Sequence, residues 1–116
     1  MNIDFIKWMV EYAKGFEFDY HAEGHDFIKI PNKKTYCVNE IIGDPIVYPL
    51  LLQRAIEGWN RKNGIVGTRG IVQYNNDIVI YGKGNRLNTY SFEDYTEDQA
   101  KEEALKYIYE QERKTD

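Results

Sequence analysis

The sequence predicts an α+β domain. Three observations lead there: helical periodicity at both ends and in the middle of the chain, short runs of β-branched and aromatic residues between them, and turn residues separating those runs. The expected order is α-β-β-(β)-α-β-β-β-α, with an antiparallel sheet of five to six short strands packed on one face by three helices. At 116 residues and 13.7 kDa, residues 1–116 fit one domain with one core. Area scaling gives roughly 6,600 Å² of accessible surface when folded against roughly 20,000 Å² extended, so about two thirds is buried without disulfide or metal.

Ile6, Met9, Val10 and Ala13 recur at helical spacing, with Phe5, Trp8 and Tyr12 widening the stripe, which predicts a helix over Ile3–Lys14 stopped by Gly15. Phe16, Phe18 and Tyr20 then alternate with Glu17 and Asp19, the period of a half-buried strand. A polar turn at Ala22–Gly24 leads to a partner strand at Phe27–Ile30, closed by Pro31. Thr35–Val38 is a short third strand.

Two prolines four apart, Pro45 and Pro49, cannot both lie inside a helix, so a turn is expected at 44–47 and a helix from about Tyr48 to Lys62. Leu51, Leu52, Ala55, Ile56 and Trp59 make it apolar over much of its circumference, as befits the most buried helix. Ile71–Tyr74 and Ile78–Tyr81 flank Asn75-Asn76-Asp77, residues that tolerate the left-handed backbone of a tight hairpin. A second turn at Gly82–Asn85 leads to Leu87–Phe92 and completes a meander. Thr96 and Gln99 form a capping box before a helix over 97–113, with Ala100, Ala104, Tyr107 and Ile108 inward and Glu97–Lys101 and Glu102–Lys106 pairs facing water.

The net charge of −4 is uneven: residues 1–52 carry 5 basic and 8 acidic side chains, 53–90 carry 6 and 2, and 91–116 carry 4 and 9. A basic middle between acidic ends argues against non-specific nucleic-acid coating yet leaves a local basic patch. The one cysteine, Cys37, cannot form an internal disulfide, and no apolar stretch approaches the length of a membrane span. A reducing cytosol and no membrane partner are therefore expected.

His21, Glu23 and His25 would share one face of a regular strand and could offer two imidazoles and a carboxylate to a metal, but Gly24 favours a turn, where that alternation fails. Glycines at 64, 67, 70, 82 and 84 fit no phosphate-loop spacing and read as turn glycines, so no cofactor is expected. Ser91 and Cys37, each the sole residue of its type, have no neighbouring histidine in sequence to activate them.

The Pro49–Trp59 segment and the Ser91–Gln111 segment, with its closing helix opening Thr96-Glu97-Asp98-Gln99-Ala100-Lys101, resemble small proteins of phages and prophages. The resemblance covers about a third of the chain. It implies a bacterial host cytosol and brings no catalytic residues with it.

Three functions follow in order. The first is an accessory binding protein that docks on a host or phage protein through its tyrosine-rich sheet face or acidic last helix, since tyrosine gives large contact area with a polar tip. The same sheet face would serve a homodimer. The second is a nucleic-acid-binding module using Arg54, Arg61, Lys62, Arg69, Lys83 and Arg86 for phosphate, with Trp59, Tyr74, Tyr81 and Tyr90 for stacking. The third is a metal-dependent enzyme built on His21 and His25.

Overall fold

A computed structural model describes residues 2–114. Within them the chain forms α1 (Ile3–Tyr12), β1 (Glu17–Ala22), β2 (His25–Lys29), β3 (Thr35–Cys37), α2 (Val38–Gly43), α3 (Val47–Asn63), β4 (Gly70–Gln73), β5 (Asp77–Gly82), β6 (Asn85–Ser91) and α4 (Glu97–Lys114). The α+β class holds. The strands, however, form two separate three-stranded antiparallel sheets, β1-β2-β3 and β4-β5-β6, where one sheet was expected.

The sheets separate because the chain leaves the first one early. The Cys37 backbone N–H donates to the Glu40 carboxylate at 3.2 Å and so starts α2, a helix the periodicity did not announce. Val38, expected on strand β3, instead turns inward with Ile41 on this helix. At the next junction Asp44 Oδ1 accepts the N–H groups of Ile46 and Val47 at 2.8 and 2.9 Å, which holds its carboxyl below the usual carboxylate range. Pro49 then falls in the first turn of α3, where its missing N–H costs nothing.

The first strand departs from its expected half-burial. A bulge at Asp19 pairs Phe18 with Ile28 but Tyr20 with Phe27, adjacent residues of β2. The extra residue reverses the alternation, so Phe18 and Tyr20 lie on opposite faces and both are exposed, while Phe16 precedes the strand and is buried. Tyr20 stacks on Phe27 with ring centroids 4.6 Å apart. Left-handed backbone also falls elsewhere than expected. It occurs at Glu23 and Gly24 in the first hairpin and at Lys83 and Gly84 between β5 and β6, and not at Asn75 or Asn76. These two tight turns carry positive φ at both central residues, the geometry that matches the twist of the flanking strands.

Buried side chains from all four helices and both sheets join one hydrophobic cluster. The last helix is capped as expected, Thr96 and Gln99 exchanging backbone and side-chain hydrogen bonds at 3.0 and 3.1 Å. Its water-facing pairs change. Lys101 is buried and reaches Glu97 at 3.2 Å; Lys106 pairs with Glu103 instead of Glu102, whose carboxylate accepts the Tyr48 hydroxyl at 2.6 Å.

The backbones of α1 and α3 approach closely at Gly58. A Cβ built on Gly58 would stand 1.8 Å from the Tyr12 carbonyl oxygen, so only glycine allows this packing. Arg54 completes the junction by donating to the Lys14 carbonyl at 2.9 Å. Gly58→Ala should therefore cost about 3 kcal/mol and lower the melting temperature by about 10 °C. Gly43→Ala, whose Cβ would meet open space, should change stability little. Thermal unfolding of the two variants checks the contrast.

Candidate functional site

Five of the candidate residues, Arg69, Tyr74, Tyr81, Lys83 and Arg86, meet at one end of the second sheet. Its inner face presents Ile71, Ile78, Ile80 and Tyr90 to the helices, and its outer face carries Val72, Val79, Tyr81 and Thr89. Val79 lies outside the main core cluster and yet has no exposed surface. On the same face Tyr74 and Tyr81 stand on either side of the Val72–Val79 pair, and their hydroxyls meet at 2.8 Å. The hydrogen bond to Tyr81 is the main reason that the Tyr74 hydroxyl titrates above its ordinary range.

Two further contacts fix this sheet to the body. Asn60 of α3 mimics a neighbouring strand, its amide donating to the Ile71 carbonyl and accepting the Ile71 N–H, both at 2.9 Å. The 65–69 loop closes on itself through Ile65 and Arg69, whose backbone groups exchange hydrogen bonds at 2.8 and 2.9 Å, and it is tied to the β5–β6 turn by Gly84 N–H donating to the Thr68 carbonyl at 3.0 Å. The loop is a built structure.

Two open grooves of about 590 and 580 Å³ flank this end. The first is bounded by the 64–72 segment with Asn60, Tyr74 and Tyr81. The second lies between the α3 and α4 C-termini and the β5–β6 hairpin, with Trp59, Lys83, Leu87 and Glu112 among its walls. Arg69 and Tyr81 line both and form the ridge between them. Of the nine large apolar residues exposed among the described residues, five (Ile65, Val66, Val72, Tyr74 and Leu87) lie here. Val66 is fully exposed.

The basic set of the sequence therefore divides. Arg69, Lys83 and Arg86 gather at this end, Arg86 opposite Tyr81 in the ladder and near enough to Tyr74 to act on its hydroxyl. Arg54 is spent on the α1 terminus, Lys62 lies over the Tyr12 ring at 5.6 Å, and Arg61 is exposed on α3. The proposed stacking platform keeps Tyr74 and Tyr81 but loses Trp59 and Tyr90, both buried toward the helices.

The candidate metal ligands are not brought together. β1 ends at Ala22, Glu23 and Gly24 form the turn, and His25 pairs with Ala22 on the opposite strand. His21 instead bonds Asp26 at 2.9 Å, which with Lys7 at 3.2 Å draws the Asp26 carboxyl below its ordinary range. Among the described residues no group of three or more His, Cys, Asp and Glu side chains could hold a metal ion. Nor is any helix among them long and apolar enough to cross a membrane.

Sequence reasoning missed Glu112 and Asn60. Glu112 Oε2 accepts the Trp8 indole N–H at 2.8 Å and Oε1 accepts that of Trp59 at 2.9 Å. The available signal was the pair of tryptophans on apolar stripes, since a buried indole N–H requires an acceptor. Beside this clamp the Asn63 amide nitrogen is buried without a well-formed hydrogen bond, and burial, followed by the Glu112 charge, raises the Tyr12 hydroxyl.

Two tyrosines around α4 give a titration signature. Burial pushes the Tyr90 hydroxyl up to about 12, and burial together with the Glu102 acceptor pushes Tyr48 higher still. Both are neutral in the fold while the unfolded chain ionises near a pH of about 10. Their contribution to stability is thus complete below about pH 10 and is lost as pH rises toward 12. Ultraviolet absorbance of tyrosinate, followed with circular dichroism, should show the last tyrosines ionising only as the chain unfolds; complete ionisation with the fold intact would contradict it.

Comparison with family models, with curated proteins and with solved structures returned no significant match.

Proposed function

We propose that this chain is an accessory binding protein that docks on another protein through the β4–β6 end. The carrying observation is the concentration of exposed apolar side chains, Ile65, Val66, Val72, Tyr74 and Leu87, around two grooves divided by Arg69 and Tyr81. Aromatic and arginine residues beside exposed apolar groups are the composition of interface centres, and apolar surface gathered at one end marks an interaction site where scattered residues would not. The resemblance of the 49–59 and 91–111 segments to small phage and prophage proteins supports a partner in a bacterial host cytosol.

Nucleic acid is the second reading, favoured by Arg69, Lys83 and Arg86 around exposed Tyr74 and half-buried Tyr81. It ranks lower because phosphate contacts supply most of such affinity, and here the first groove has Arg69 as its one charged lining residue. Exposed Val66, Ile65 and Leu87 gain little from a phosphate backbone.

Capture of the tagged protein's partners from a bacterial lysate, with and without nuclease, checks both readings. A partner retained after nuclease should be lost with Val66→Asp, a change at a fully exposed position that leaves melting unaltered, and kept with Ile46→Asp, exposed at the start of α3. Partners lost on nuclease treatment would move the assignment to nucleic acid; equal retention by Val66→Asp would remove this surface from the account.

A further inference from the structure

We infer that the occupant of this surface is an acidic segment of a partner protein, with apolar side chains seated in the grooves and carboxylates against Arg69, Lys83 and Arg86. The inference rests on the docking reading above and adds the partner's chemistry, which charge complementarity supplies.

Among the described residues Lys7, Lys29, Lys101 and Lys106 pair with Asp26, Glu17, Glu97 and Glu103, while exposed Lys14, Lys33, Lys34 and Arg61 make no ion pair but line neither groove. Arg69, Lys83 and Arg86 likewise have no ion-pair partner among the described residues, and they alone of these gather at the groove end. No carboxylate lines the first groove. The second holds Glu112, but both of its oxygens already accept indole N–H groups, so it is committed to the helices. Three unmatched cations beside an apolar trough repel a basic partner and raise the encounter rate of an acidic one. A partner bearing only charge would leave Ile65, Val66 and Leu87 in water, and one bearing only apolar groups would bury three guanidinium and ammonium heads without compensation. An occupant with both features satisfies the surface. Arg69 carries the most, because it stands on the ridge, where its planar fork can take a carboxylate bidentately while Tyr81 packs alongside.

The test is fluorescence anisotropy with a short fluorescein-labelled peptide in which Glu and Asp alternate with Leu, Phe and Ile. Comparison probes are the same peptide with Lys replacing the acids, an oligoglutamate without apolar residues, and an oligothymidylate. The expected result is that the acidic apolar peptide binds, and that Arg69→Glu with Arg86→Glu weakens it about tenfold or more, as does added salt. Both positions are exposed, so melting should be unchanged. Lys83→Asn, which keeps a residue tolerant of the left-handed backbone at φ 53°, should weaken binding by a smaller factor. The oligoglutamate and the lysine peptide should bind at least about tenfold more weakly than the acidic apolar peptide. Equal binding of the lysine peptide, or indifference to Arg69→Glu, overturns the inference. Binding of the oligothymidylate alone overturns it in favour of nucleic acid. If no probe binds while partner capture still depends on Val66, the acidic-segment inference fails and the docking reading stands; if that capture is also absent, the docking reading itself has failed.

Discussion

One carboxylate holds three helices in register. Glu112 of α4 receives the indole N–H of Trp8 from α1 and of Trp59 from α3, one on each oxygen. Hydrogen bonds to a charged acceptor are worth about 1.5–3 kcal/mol each, and removing the acceptor would strand two part-buried donors. The clamp works because α1 and α3 already touch backbone to backbone, the Tyr12 carbonyl lying against Gly58, the residue just before Trp59. The residue just after it, Asn60, hands the same rigidity to the second sheet by bonding both backbone groups of Ile71. Three consecutive positions of one helix thus join α1, α4 and β4.

The candidate surface is rigid as a consequence. Its floor is a strand pinned to α3, its loop is closed by paired backbone hydrogen bonds and tied to the adjoining turn, and across its outer face Tyr74 and Tyr81 are joined by their hydroxyls. A surface formed before its partner arrives loses less conformational entropy on binding, so more of the contact energy appears as affinity. The contrast is with β1, which is exposed along most of its length but carries a bulge and the acidic Glu17 and Asp19 at a sheet edge, features that discourage edge-to-edge pairing.

Much of the fold was legible in the sequence, for local reasons. The long amphipathic helices and the second meander follow from side-chain period, and the Thr96–Gln99 cap from residue type. What escaped depended on single hydrogen bonds or insertions. A side chain reaching back to Cys37 starts α2 and ends the first sheet; one extra residue at Asp19 inverts the faces of β1; Asn75 and Asn76 have the right chemistry for a left-handed turn that Glu23-Gly24 and Lys83-Gly84 adopt instead. Of the candidate site, part was legible. Charge counting located Arg69, Lys83 and Arg86 with Tyr74 and Tyr81, but it included Arg54 and Lys62, which serve α1, and Trp59 and Tyr90, which face the helices. The exposure of Ile65, Val66 and Leu87 depends on how the loop and hairpin are held, which no composition records.

Hydrogen exchange of the full chain, free and with a captured partner bound, tests most directly where docking occurs. Docking at the β4–β6 end should give new protection at residues 64–74 and 83–87, with β1 and β2 unchanged. Protection confined to the β1–β2 hairpin, around Phe18 and Tyr20, would place the docking surface on the other sheet and contradict it.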